Sequence, residues 1–238
     1  MKRMIKSITL GLAITTTITV FAQDAQDEAK AILKKAVEAV GSADAVKAIK
    51  DITFTGNLNI MGQEFSLVQR YVLPTGFATE MTMGGMQVMK QLKNGEHYSV
   101  SMQGAEQEID EATKFALTMK SAFFEEDFML NTPGFTFAVK PQETEDGKTL
   151  NVIEVTMPDG NTKALYYYDA ATGLKVKELR EQDGGPMGKA TVVNKILEYK
   201  EIAGVKIPSR LQVQLGPIDQ ELSFSDIKVN TGLKASEL

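Results

Sequence analysis

The chain has no cysteine and a single histidine among its 238 residues. The first absence excludes disulfides, thiol nucleophiles and Cys-ligated zinc. The second leaves a Ser-His-acid triad only one candidate, His97 in "NGEHYSV". It follows an Asn-Gly turn, where a histidine is ordinarily an exposed strand residue. No apolar run approaches the roughly 18 residues needed for a membrane-spanning helix. No glycine pattern of the phosphate-binding type follows a strand and opens a helix, and "DGGPMGK" has too few oxygens for a calcium loop. The acidic runs Glu125-Glu126-Asp127 and Glu143-Glu145-Asp146 fall in loop-like stretches and read as solvated surface. No catalytic residue, metal site or cofactor is expected, and the chain is not expected to be an enzyme.

What is present begins with an export signal over residues 1–22. Lys2, Arg3 and Lys6 precede an apolar stretch from Ile8 to Val20, and Val20-Phe21-Ala22 places small residues where a signal peptidase cuts. With no cysteine to accept a lipid anchor, the expected location is the periplasm, with secretion second. Without the leader, 23 basic residues face 31 acidic ones, a net charge of −8. That argues against nucleic acid as a partner.

Residues 23–238 read as a single domain. Ala29, Ile32, Leu33, Ala36, Val37 and Val40 recur at helical spacing from Asp24 to Val40, Gly41 ends that helix, and Ser42 caps a short second one. The period then changes to two. Ile52, Phe54, Leu58 and Ile60 alternate with polar residues, as do Phe65, Leu67, Tyr71 and Leu73. Strands over 77–83 and 86–92 flank Gly84-Gly85, and Asn94-Gly95 turns into another. Asp110 caps a helix from Glu111 to about Phe124, and further strands run to 229, separated by short turns such as that at Asp183-Gly184-Gly185-Pro186. The fold class is mainly β, with α+β character: a large curved antiparallel sheet or unclosed β-barrel of about eleven strands, lidded by helices.

Three stretches carry a family resemblance: "AVGSADAVKAIKDITFTGNL" (39–58), "LYYYDAATGLKVKE" (165–178) and "YKEIAGVKIPSRLQVQL…FSDIKVNTGL" (199–233). They resemble the periplasmic lipoprotein-carrier superfamily typified by LolA and LolB, and are most similar to the carrier-like domain fused to some insulinase-type zinc peptidases. Tyr199 to Pro208, Tyr168-Asp169 to Leu174, and Val229-Asn230 match its hairpin, turn and closing strand. The resemblance implies an unclosed barrel whose cavity, between sheet and helical lid, accommodates acyl chains. It does not bring proteolysis, since the His-x-x-Glu-His motif of the fused peptidases is absent.

The stretch "MTMGGMQVM" (81–89) is the most unusual in composition. Its thioethers could hold Cu(I), line an adaptable apolar cavity, or pack beneath the lid. A two-residue turn at Gly84-Gly85 pairs Met83 with Met86 and Met81 with Val88. Met81, Met83 and Met86 then share a face with Phe77, while Met89 points away, which disfavours a metal. Tyr166 and Tyr168 share one strand face opposite Tyr167. The expected apolar cavity is lined by Phe54, Leu58, Phe65, Leu67, Phe77, Met81, Met83, Met86 and Val88 from the strands and by Phe115 and Met119 from the helix. With no polar cluster to read a headgroup, binding should be promiscuous. The partner expected there is a lipid or lipoprotein acyl chain. The alternative is an envelope protein-interaction module or peptidase companion whose cavity is filled by its own side chains.

Overall fold

A computed structural model describes residues 15–60, 62–74, 76–183, 189–216 and 218–238. The first fourteen residues of the expected export signal and all of the 183–186 turn but Asp183 lie outside them. Helix α1 is Thr15–Val40 and α2 is Ala43–Ala48, whose N-cap Ser42 accepts from the Ala45 N–H at 3.2 Å. Strands β1 (Asp51–Ile60), β2 (Gln63–Val72), β3 (Gly76–Met83), β4 (Met86–Asn94), β5 (His97–Met102) and β6 (Ala105–Glu106) form a meander. Helices α3 (Glu111–Ser121) and α4 (Glu125–Asn131) follow. A second meander comprises β7 (Thr136–Glu145), β8 (Lys148–Thr156), β9 (Lys163–Asp169), β10 (Lys175–Asp183), β11 (Lys189–Ile202), β12 (Val205–Leu215) and β13 (Ile218–Val229).

The two meanders join where β13 pairs antiparallel with β1, giving one 13-stranded sheet with β6 and β7 at its edges. It is an antiparallel sheet not closed into a barrel, as expected, with two more strands than the sequence suggested. Pro141 interrupts the register of edge strand β7, where a missing N–H costs no interior ladder bond. Gly56 is required where β13 bulges against β1, because a Cβ there would lie 2.3 Å from the Ser223 carbonyl oxygen.

The helices lie on one face of the sheet. Ala29, Leu33 and Ala36 of α1 are buried against Phe137, Ile153, Val155, Tyr166 and Tyr168 of β7 to β9, with Met119 and Met129 from α3 and α4. A second cluster joins Ile52, Phe54, Leu67, Val205, Ile207 and Phe224, with Val46 of α2 and Phe123 packed on it. The motifs behind the family resemblance are pins of this frame. Asp169 Oδ1 accepts the Ala171 and Thr172 N–H groups at 2.9 and 3.1 Å, and Gly173 adopts positive φ where a Cβ would press within 3.2 Å of α1. Asn230 accepts from the Lys50 N–H at 2.7 Å and donates to the Ala48 carbonyl at 2.9 Å, fastening the closing strand to the α2 exit.

Candidate functional site: a lidded cavity with an ionic end

Between the helices and the sheet lies a cavity of about 1180 Å³. Its roof is α3 and the segment after it, contributing Phe115, Met119 and Phe123. Its floor is set by strand alternation: Val192, Asn194 and Ile196 of β11 stand beside Leu211 and Val213 of β12, followed by Leu222 and Phe224 of β13. Phe54 of β1 and Tyr71 of β2 complete the apolar wall, stacking edge-on with ring centroids 6.0 Å apart. Asp110 caps α3 by accepting the Thr113 N–H at 2.7 Å, while Lys120 donates to Gln91 of β4 at 2.8 Å and Tyr98 meets Thr118 at 3.2 Å. The last two contacts hold the roof to the first meander.

One end of the cavity is ionic. In β10, Lys175 pairs with Tyr168 and Lys177 with Tyr167, so Val176 is an extra residue, a β-bulge. In a regular strand residues three apart face opposite sides. The bulge instead lets Lys175, Glu178 and Arg180 share the inner face with Tyr166 and Tyr168. The Lys175 Nζ lies 3.0 Å from Glu125, 3.1 Å from Glu126 and 3.5 Å from Glu178. Arg180 Nη2 reaches Glu125, the Tyr166 hydroxyl at 2.8 Å and Glu178 at 3.2 Å. Tyr166 and Tyr168 donate to Glu125 and Glu126 at 2.8 and 3.2 Å. Arg180 Nε is buried without a hydrogen-bond partner.

These neighbours set the charges. Burial alone would push the Glu125 carboxyl up, but Arg180 and Lys175 outweigh it and hold the group at about 2. Burial would push Lys175 down, yet Glu126, Glu125 and Glu178 keep it well above the ordinary lysine value. Burial, reinforced by Glu125 and Glu126 respectively, drives the Tyr166 and Tyr168 phenols well above theirs. These shifts favour the ionised Glu125 carboxylate, the charged Lys175 and Arg180 side chains and the neutral Tyr166 and Tyr168 phenols. The cluster's chemistry is electrostatic fastening of α4 to β9 and β10.

The residues picked from sequence divide. Phe54, Phe115 and Met119 line this cavity, whereas Leu58, Phe65, Leu67, Phe77, Met81, Met83, Met86 and Val88 lie outside its lining. Leu67 and Met81 pack in the second core cluster, Phe77 is buried against Tyr71, and Met86 is 68% exposed. Two further expectations are corrected. Glu125 and Glu126 are not solvated loop residues: they start helix α4, and their side chains are only 12% and 15% exposed because Lys175 partners both. The face also has a convergent polar cluster, brought together by the β10 bulge and α4. Period-two reading gives no signal for that bulge. The floor residues of β11 and β12 do alternate visibly in the sequence.

Three solved structures share the fold. A LolA superfamily protein from Nitrosomonas europaea superposes with a TM-score of 0.58 at 13% identity, over 87% of this chain and 96% of that one. A DUF1329 family protein from Desulfovibrio piger gives 0.57 at 15% identity, over 87% and 95%. An outer membrane lipoprotein-sorting protein domain from Vibrio parahaemolyticus gives 0.54 at 13%, over 86% and 96%. No family model and no curated protein matches the chain. The fold is thus LolA-like. Among the described residues no helix is long and apolar enough to cross a membrane.

Proposed function

We propose that this is an exported, non-enzymatic binding protein that sequesters or carries the acyl chain of a lipid or lipoprotein in the cavity beneath α3. The observation that carries the reading is the open volume of about 1180 Å³ with an aromatic and aliphatic roof and floor. It is larger than most small-ligand pockets, and such pockets owe affinity to apolar lining with few polar groups. Burying an acyl chain contributes about 0.8 kcal/mol per methylene, so ten buried methylenes supply about 8 kcal/mol, on the order of micromolar affinity. The fold shared with an outer membrane lipoprotein-sorting protein domain supports the same reading, and the leader read in the sequence supports export to the periplasm. The open volume favours it over an interaction module whose cavity is filled by its own side chains.

Residues 1–22 are assigned as the signal and 23–238 as the single carrier domain. The apolar contacts to the ligand are assigned to Phe54, Phe115 and Met119 with Phe123, Val213 and Leu222. The decisive measurement is native mass spectrometry of envelope-purified protein together with uptake of a fluorescent fatty acid. Val213→Trp, which fills the floor, should lower uptake at least tenfold while leaving the melting temperature within a few degrees. Absence of both a co-purifying amphiphile and fatty-acid uptake by the unaltered protein would overturn the reading.

A further inference from the structure

The methionine hairpin does not line the cavity, and its geometry differs from the regular ladder expected for it. Gly84 and Gly85 both have positive φ and form the two-residue turn, and Met83 pairs with Met86. Next along the ladder, Thr82 pairs with Gln87 but Met81 pairs with Met89. Val88 is an extra residue in β4, a bulge that returns Met89 to the face of Met81. On the other side of β4, Met89 pairs with Met102 of β5. Directly opposed residues of an antiparallel pair lie on one face, with Cβ atoms about 4.5–5.5 Å apart. Met81, Met89 and Met102 therefore form one cross-strand row, and Met83 with Met86 forms the next. Five of the chain's twelve methionines meet at this corner of the sheet.

Packing accounts for only part of this corner, since Met81 alone of the five lies against the second core cluster. Met86 is 68% and Met102 46% exposed, while Met81, Met83 and Met89 are only partly buried. Among the described residues no group of three His, Cys, Asp or Glu side chains could hold a metal ion, so thioethers are what this face offers. We propose that the corner is a thioether site for a soft monovalent cation, Cu(I), held by sulfurs of the Met81–Met89–Met102 row with Met83 and Met86 beside it. Thioether ligands select Cu(I) over harder ions, and neutral ligands suit a single positive charge. The unbranched methionine side chain has three rotatable bonds, enough to bring three sulfurs around one ion without moving the strands. Partial exposure leaves the sulfurs open to an ion arriving from solvent.

Ag(I), a redox-inert mimic, tests this in protein carrying ¹³C-labelled methionine methyl groups. One equivalent should shift the methyl resonances of these five residues and leave those of the buried Met119, Met129 and Met157 in place. Anaerobic titration with Cu(I) against a chromophoric chelator should give one tightly held ion. Met89→Leu, close in volume, should weaken it at least tenfold, and the triple change at Met81, Met89 and Met102 should abolish competition with the chelator. The proposal is overturned if equimolar Ag(I) shifts none of the five, if it shifts the buried methionines instead, or if the triple variant competes for Cu(I) as well as the unaltered protein. The labelling result on unaltered protein stands even if a variant fails to fold.

Discussion

Replacing Lys175 by Met tests how α4 is held to the sheet. The change keeps an unbranched apolar stem of similar length but deletes the ammonium that lies within 3.5 Å of Glu125, Glu126 and Glu178. Glu125 and Glu178 then keep Arg180 as a partner while Glu126 loses the cation at 3.1 Å, in side chains that are 12%, 13% and 15% exposed. Removing one partner of a buried ionic group costs about 3–5 kcal/mol, because the remaining charge stays desolvated. For a domain of this size that is a fall in melting temperature of roughly 6–20 °C at pH 7. The pH dependence gives the sharper check. The Glu125 carboxyl is held at about 2, below its ordinary value of 4.5. Its contribution to stability is therefore complete above about pH 4.5 and is lost as pH falls towards 2. Without Lys175 the carboxyl titrates higher, so the variant's deficit should narrow as pH is lowered from 7 to 4. Circular-dichroism melts of both proteins across that range measure it. Adding Glu126→Gln to the variant should recover part of the loss. A deficit under 1 kcal/mol, or one unchanged between pH 7 and 4, would refute the assignment of this cluster as a charge-dependent fastener.

Three further changes report on other parts of the frame. Tyr166→Phe removes a hydroxyl that donates to Glu125 and accepts from Arg180, each at 2.8 Å, and should cost about 1–2 kcal/mol by urea denaturation. Gly56→Ala places a Cβ 2.3 Å from the Ser223 carbonyl oxygen and should cost about 1–3 kcal/mol, with faster amide exchange confined at first to β1 and β13. Asp51→Ala strips the acceptor used by the Thr231 N–H, the Thr231 hydroxyl and the Gly232 N–H, all within 2.9 Å. It should cost about 2–3 kcal/mol and expose the segment after β13 to proteolysis.

Signals confined to a few adjacent residues were legible in the sequence. Ser42 and Asp110 announced their helices through capping chemistry, and Gly84-Gly85 announced its turn. The period-two runs gave the strands and the antiparallel class. What failed to show were the places where a ladder gains a residue. At Val88 one extra residue reverses the face of Met89, and at Val176 one extra residue gathers Lys175, Glu178 and Arg180 on the side that an unbroken alternation would divide. Helix α4 is 7 residues long, too short for a periodic signal to separate it from a charged loop. The floor of the cavity was misplaced for a different reason. The alternation in β11 and β12 is as clear as in β1 and β2, but which strands lie beneath α3 depends on β13 pairing with β1, a contact between residues more than 150 apart in the chain.

That same pairing explains why the cavity has a lid at all. Each meander runs strand by strand from the central β1–β13 seam to an edge, the first ending at β6 and the second starting at β7. The chain must therefore return across the whole width of the sheet between Glu106 and Thr136, and α3 and α4 are that crossing. The roof is tied covalently at both sheet edges and laterally at two places: α3 to β4 and β5 through Lys120 and Thr118, and α4 to β9 and β10 through the ionic cluster. A strap fixed at its ends opens by losing one lateral tie, not by swinging free. Both helices are also held by packing, α3 through Leu117 and Met119 and α4 through Met129. The bulge at Val176, which no local signal marks, is thus what lets β10 hold one end of that strap.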